Sequence, residues 1–335
     1  MNLYGKYSHS LAEIYFILIS ISVAKYFAQL DPSQCGKTFN EPNLRIQGGV
    51  KALPNSWPSV AFLVFQYKFF LTTNGFVTTR TVRGECGATL IEDDKLLSAA
   101  HCFKTSITLS DGTKVTVQPN IYHKDLNSMY TIYLGLHDKT SIRPENVYNL
   151  DSFKLHPNFD SNTLVNDIAI IKLEKKATFN EKIQPACIPL NVEVNFVPDA
   201  VVWALGWGAI SLDSSVSSDI LKNVRLKFID DKYCGSIKND ELCIGDLTDG
   251  NDTMKGDSGG PVYMKTKDNK QVVVGITSRG VFWNKKTVGI YARVDSYLEW
   301  IYDARLIAFK ENSAVCYSSK FFFTITFLTQ LMYNY

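Results

Sequence analysis

From Ile46 onward the chain is written in short apolar or alternating runs, among them 59–65, 89–91, 168–173 and 272–277, with no helical periodicity between them. Runs of this length suit strands, and Gly84, Asp111-Gly112, Asp249-Gly250 and Gly280 read as the turns that separate them. Many short strands without intervening helices predict an all-β chain built as a sandwich or a pair of barrels. One helix is legible near the end. Ser296 and Glu299 form a capping box, and Leu298, Ile301, Ala304 and Leu306 supply an apolar stripe that would close the domain. With 335 residues, 45% of them apolar and 20% charged, the chain can bury a sizeable core, which excludes disorder, collagen and coiled coil. The formal net charge is +2, with no long block of one sign, so nothing favours a nucleic-acid partner.

The amino terminus sets the compartment. Lys6 and His9 precede an apolar run over 14–24 in which Ser22 and Ala24 are small residues spaced for signal-peptidase cleavage. Residues 1–24 are therefore expected to be a secretory signal peptide, the run being shorter than the ~20 residues that span a bilayer. Residues 25–45, with Pro32, Gly36, Pro42 and Cys35, read as a linker or propeptide. Secretion makes disulfides the default fate of paired cysteines among the seven present. Beyond the helix, residues 309–335 form an extension of unassigned role, polar at first and then apolar, in which Asn312-Ser313-Ala314 loosely resembles a lipid-anchor signal.

Three separated segments carry a histidine, an aspartate and a serine in settings that suit nucleophilic acyl transfer. Ser98-Ala99-Ala100-His101-Cys102 follows an apolar pair, and Cys86, sixteen residues before Cys102, could clamp the loop that holds the imidazole. A lone histidine is more often structural than catalytic, and Asp167, opening the apolar strand Ile168-Ala169-Ile170-Ile171, could equally be a turn or cap residue. Its catalytic use would be to orient the imidazole and stabilise the imidazolium. Gly256-Asp257-Ser258-Gly259-Gly260-Pro261 is the most specific signal in the chain. A reactive hydroxyl needs backbone N–H donors converging where an oxyanion forms, and glycines permit that conformation.

Taken together, these motifs resemble the trypsin-like serine endopeptidases of the chymotrypsin fold over about residues 46–308. The resemblance implies two six-stranded antiparallel β-barrels with the active site at their interface. It implies His101 as general base, Asp167 as its orienting acid, Ser258 as nucleophile, the Gly256 and Ser258 amides as oxyanion hole, and Ser278 as support for Asp167. Arg45-Ile46-Gln47-Gly48-Gly49 resembles the family's activation site, where cleavage frees an Ile46 amine to pair with Asp257. Asp252, six residues before Ser258, matches the base of a primary pocket selective for Arg or Lys, with Gly280 and Gly289 matching the small residues of its walls. No cofactor or metal is implied. The implied partners are protein or peptide substrates, an activating protease and protein inhibitors, and the implied state is a secreted, extracellular monomer.

The chain also departs from the family pattern. Met254 stands where the family usually has a cysteine, and no cysteine occurs between Gly280 and Gly289, so the pocket wall is expected to lose its staple. The resemblance then assigns Cys86 with Cys102, Cys234 with Cys243, and Cys35 with Cys187, leaving Cys316 over. Arg279 replaces the tryptophan that commonly lines the groove, and is expected to favour acidic or polar residues upstream of the scissile bond. Leu136 stands where calcium-binding members carry a glutamate, so no calcium site of that type is expected. Segments 67–85 and 103–130 read as long loops around the cleft. The rival readings are a catalytically silent binding protein on the same fold and an endopeptidase of non-tryptic specificity.

Overall fold

The computed structural model describes residues 33–41, 49–73, 76–108, 114–117, 126, 128–189, 192, 194–209, 214, 216–248, 252–284 and 286–310. The expected leader 1–24, the Arg45-Ile46 peptide, the expected turns at Asp111-Gly112 and Asp249-Gly250, and the tail with Cys316 lie outside the described residues. Strand β1 is Val50–Lys51, β2 Val60–Thr73, β3 Phe76–Leu90, β4 Lys95–Ser98, β5 Thr105–Thr108, β6 Lys114–Val117, β7 Tyr130–Leu134, β8 Val147–Leu155 and β9 Ala169–Leu173. The second half holds β10 Val201–Gly206, β11 Lys222–Phe228, β12 Glu241–Gly245, β13 Pro261–Lys265, β14 Gln271–Trp283 and β15 Lys286–Arg293, followed by helix α1, Leu298–Lys310.

Strands β2-β3-β4-β9-β8-β7 close into one antiparallel barrel. In the second half the order β11-β10-β13-β14-β15-β12 closes through the β11–β12 pairing, with β1 on the edge of β11. The expected pair of six-stranded barrels is thus present. The sequence reads as short apolar runs because closure buries the inward face of each strand, and the packing of the barrels on each other and of α1 on β9 covers part of the outer face. Leu96, Leu97, Ile171 and Ile132 are fully buried in the first barrel, and Val202, Ile244, Val262 and Val274 in the second.

The seam between the barrels places the cleft. Trp57 stacks on Tyr263 with ring centroids 5.4 Å apart, and the Tyr263 and Ser59 hydroxyls share a 2.7 Å hydrogen bond. Gly87 of β3 donates its N–H to the Ser258 carbonyl at 2.7 Å, so the first barrel holds the backbone of the second beside Ser258. Disulfides join Cys86 to Cys102, Cys234 to Cys243, and Cys35 to Cys187. The last ties residues 33–41 to the body, where Gly36 also exchanges backbone hydrogen bonds with Pro185 and Gln271.

Five local readings change. Gly84 is no turn: it lies inside β3, opposite Phe65, because 67–85 is not a loop but most of a continuous β2–β3 hairpin paired out to Thr73↔Phe76. Gly280 likewise lies within β14, opposite Gly289. Segment 103–130 contains the hairpin β5–β6. Ser296 sits inside a 3-10 turn, Val294–Tyr297, that precedes α1, so it does not cap that helix. A glycine in a strand looks like a turn to a one-dimensional reading, whereas cross-strand partners decide the outcome.

Candidate active site

His101 lies on a single 3-10 turn, Ala100–Cys102, that follows β4, and the Cys86–Cys102 bond anchors this turn to β3. Asp167 immediately precedes Ile168 and β9, the strand that pairs with β4, so the β4–β9 register brings the two side chains together. His101 Nδ1 is 2.7 Å from Asp167 Oδ2, and the His101 backbone N–H donates to Asp167 Oδ1 at 2.9 Å. Ser278, on β14 of the other barrel, donates its hydroxyl to Asp167 Oδ2 at 2.6 Å. Burial alone would raise the Asp167 pKa, but the charge of His101, the two side-chain donors and the backbone N–H hold it below the ordinary carboxylate value. Burial alone would lower His101, yet the facing carboxylate raises it above its ordinary 6.5.

Ser258 precedes β13 and is half-buried. Its turn is pinned on several sides: Gly259 N–H donates to Thr277 O at 2.8 Å and Gly260 N–H to Asp257 O at 2.8 Å. Gly256 has φ +101°, a conformation that a side chain would strain, and its position two residues before Ser258 is where the chain reverses. The Asp257 carboxylate is buried inward, accepting from Gly208 N–H at 2.7 Å and Met254 N–H at 2.8 Å. Gly208 permits that approach, since a Cβ there would come within 2.5 Å of the carboxylate. Burial pushes Asp257 up to about 6 against those two donors, with Lys222 and Lys139 as the cations that lower it.

Asp252 is 8% exposed. It accepts from Thr253 N–H at 2.8 Å and from the fully buried Tyr291 hydroxyl at 3.1 Å, yet burial still pushes it up to about 7. Asp252 and Asp257 line a cavity of about 160 Å³ together with Gly49, Gly208 and Lys222. A Cβ at Gly280 would sit 4.0 Å from Asp252 Oδ2, which places the carboxylate close to that wall. At Gly289 a Cβ would collide with the Tyr291 ring at 2.5 Å, so this glycine makes room for the hydroxyl that Asp252 uses.

The pocket wall without cysteines is held otherwise. β14 and β15 pair without a break from Arg279↔Ile290 to Trp283↔Lys286, and Lys286 Nζ donates to the Leu247 and Thr248 carbonyls. The expectation for Arg279 also changes. Its Nη1 donates to Glu241 Oε1 at 2.6 Å and to Leu164 O at 3.4 Å, so its charge is already paired. Leu136 is buried in the first barrel's core. The metal-ligating cluster among the described residues, Cys86, His101 and Cys102, has its two sulfurs consumed in a disulfide.

Two partners escaped the sequence reading. Tyr291 follows Gly289 by two residues on one strand, hence on the same face, and that spacing could have flagged it. Glu241 lies 38 residues before Arg279, and only the β12–β15–β14 pairing brings the two together. Compared with known proteins, residues 46–301 match a family model described as Trypsin. Spermosin of Halocynthia roretzi is 30% identical over 282 residues, which cover 80% of this chain and 65% of that relative, so the chain spans just under two thirds of the relative's length.

Proposed function

The chain belongs to the trypsin family, and from that premise we propose that it is a secreted serine endopeptidase, made as a zymogen, that hydrolyses peptide bonds after Arg or Lys. The observation that carries this reading is the His101–Asp167–Ser278 network, with the Asp167 carboxylate held ionised in the protein interior and the Ser258 carbonyl held by Gly87 N–H and lying 3.9 Å from the sulfur of Cys102, the residue after His101.

In the proposed mechanism the Ser258 hydroxyl attacks the scissile carbonyl while His101 Nε2 takes its proton. The Gly256 and Ser258 N–H groups receive the developing oxyanion. Asp167 keeps the Nδ1 proton in place and stabilises the imidazolium, which then protonates the leaving amine. Water, deprotonated by the same imidazole, resolves the acyl-enzyme. The raised His101 pKa follows from this pairing, because a base that is stabilised when protonated accepts the serine proton more readily.

Two buried carboxylates support the finer parts of the reading. Asp252 beside the Gly280 wall is pushed up to about 7 by burial, and a substrate Arg or Lys entering there would favour its ionised form. Asp257 borders a cavity that also touches Gly49, three residues after Ile46, which suits an Ile46 amine released by cleavage after Arg45. On this reading residues 1–24 are a signal peptide, 25–45 a light chain held through Cys35–Cys187, and 46–308 the peptidase domain. The partners are protein or peptide substrates, an activating protease and protein inhibitors, with the chain acting as a monomer.

The test is hydrolysis of matched Arg, Lys, Phe and Ala peptides before and after cleavage at Arg45, with Ser258→Ala as control. Cleavage-dependent turnover of the Arg and Lys peptides, lost in Ser258→Ala, is the expected result. Turnover of Phe or Ala instead would discard the role of Asp252. No turnover from a chain with a verified Ile46 terminus would favour the silent binding protein.

A further inference from the structure

Arg279 stands at an open strand edge. β13 pairs with β14 only to Pro261↔Ile276, and among the described residues β14 has no strand partner on that side past Thr277. An extended peptide adding to this edge as a strand would lead to Ser258, and its upstream side chains would pass over Arg279. What Arg279 presents there is not a free charge. Its side chain is 22% exposed and lies against Glu241, whose side chain is only 3% exposed. The same Nη1 also donates to the carbonyl of Leu164, three residues before Asp167 in the first barrel. Leu164 is held at φ +57°, in the left-handed region that leucine seldom adopts. One guanidinium nitrogen therefore bridges β12 of the second barrel and the segment leading to Asp167 across the cleft.

We propose that the Glu241–Arg279–Leu164 bridge sets specificity in the upstream half of the cleft, accepting amide and hydroxyl side chains over apolar ones while Glu241 suppresses selection of acids. The proposal rests on the endopeptidase reading for the direction of the bound peptide. A guanidinium carries five N–H donors in a planar fork, and both contacts of Arg279 use Nη1, so other N–H groups remain for a substrate acceptor. An incoming carboxylate meets the same donors but also the Glu241 charge behind them. A neutral acceptor meets only the donors.

The experiment uses the full secreted chain, cut after Arg45 and carrying Ser258→Ala, titrated by fluorescence anisotropy with peptides that keep Arg before the scissile bond. These peptides differ only in carrying Asn, Asp or Leu at each of the three positions upstream. At one or more of these positions the parent should bind the Asn peptide more tightly than the Leu peptide and the Asp peptide no more tightly than the Asn peptide. Glu241→Gln should reverse the Asp to Asn ratio by about tenfold, since charge-assisted hydrogen bonds outweigh neutral ones. Arg279→Gln should erase the advantage of Asn over Leu. A parent that already selects Asp, or an Asp to Asn ratio unmoved by Glu241→Gln, overturns the proposal. If Glu241→Gln does not fold, equal Asn to Leu ratios in the parent and Arg279→Gln overturn it as well. Each readout is a binding ratio within one variant. The expected ratios in a chain whose Ser258 form hydrolyses nothing would therefore sink the endopeptidase reading and keep the bridge.

Discussion

Asp167 and Asp257 are both buried carboxylates at the cleft, and they answer burial in opposite directions. Asp167 faces an imidazole, a hydroxyl and a backbone N–H, and it is held below its ordinary pKa. Asp257 has two backbone N–H donors and, among the described residues, no contacting cation, and burial pushes it up to about 6; its neighbour Asp252 rises to about 7. Both environments supply hydrogen bonds, so the difference lies chiefly in the contacting imidazole of His101, which carries positive charge when protonated. A buried charge is tolerated when a countercharge and donors are in place together, and penalised when only donors are. The finished half of the cleft is the one that would move protons. On the proposed reading the other half receives positive charge, from a substrate at Asp252 and from a new amino terminus at Asp257.

The sharpest way to break this contrast is to remove the charge from the finished side. Asp167→Asn should lower kcat by about 10⁴, measured by single-turnover acylation of a saturating Arg peptide. The same variant should move the acid limb of kcat/KM, whose midpoint is expected above 6.5 because Asp167 raises His101, back to a lower pH. A limb that stays put would mean that another group controls His101.

Withholding the cation from the unfinished side comes next. Arg45→Gln, which blocks release of the Ile46 amine, should reduce kcat/KM by about 10²–10³, the loss expected when a buried pair worth ~3–5 kcal/mol cannot form and part of it is recovered by rearrangement. Full activity in the uncut variant would remove Asp257 from the activation scheme. A smaller effect is expected where one donor is lost and the countercharge stays: Ser278→Ala should cost about tenfold in kcat, as for one hydrogen bond to a charged group, with KM for the Arg peptide nearly unchanged.

The smallest effect is on stability. Asp252 and Asp257 have folded pKa values above the ordinary 3.8, so between about pH 4 and pH 7 the native chain binds more protons than the unfolded one. Stability of the uncut chain should therefore fall as pH rises through that window, by an amount on the order of ten degrees in Tm. Asp167, shifted the other way, contributes only as pH drops below its ordinary value, so it leaves this window alone. Scanning calorimetry of Arg45→Gln between pH 4 and pH 7.5 measures the slope. Asp252→Asn should flatten its upper part, and a slope unchanged by that substitution would show that Asp252 ionises freely.

How far the sequence could be read depended on the range of each interaction. The Gly256–Pro261 turn was legible because its chemistry is local: glycine conformations and backbone donors within six consecutive residues suffice to expose a serine. Strand content was legible for the same reason. Glycines inside strands misled, since Gly84 and Gly280 owe their state to Phe65 and Gly289 on neighbouring strands. Arg279 misled more instructively. Its residue type announced a cation in the groove, but Glu241, which pairs with it, comes from another strand of the barrel.

By itself the sequence determined the all-β architecture, the three catalytic candidates and the residues around Ser258, because period, turn chemistry and backbone conformation are properties of short segments. The tertiary structure alone decided which buried carboxylates are compensated. Ser278 reaches Asp167 from the other barrel, Tyr291 comes to Asp252 from β15, and Glu241 neutralises Arg279 from β12. Electrostatic free energy in a low-dielectric interior depends on distances of a few ångströms between groups far apart in the chain, and barrel closure sets those distances.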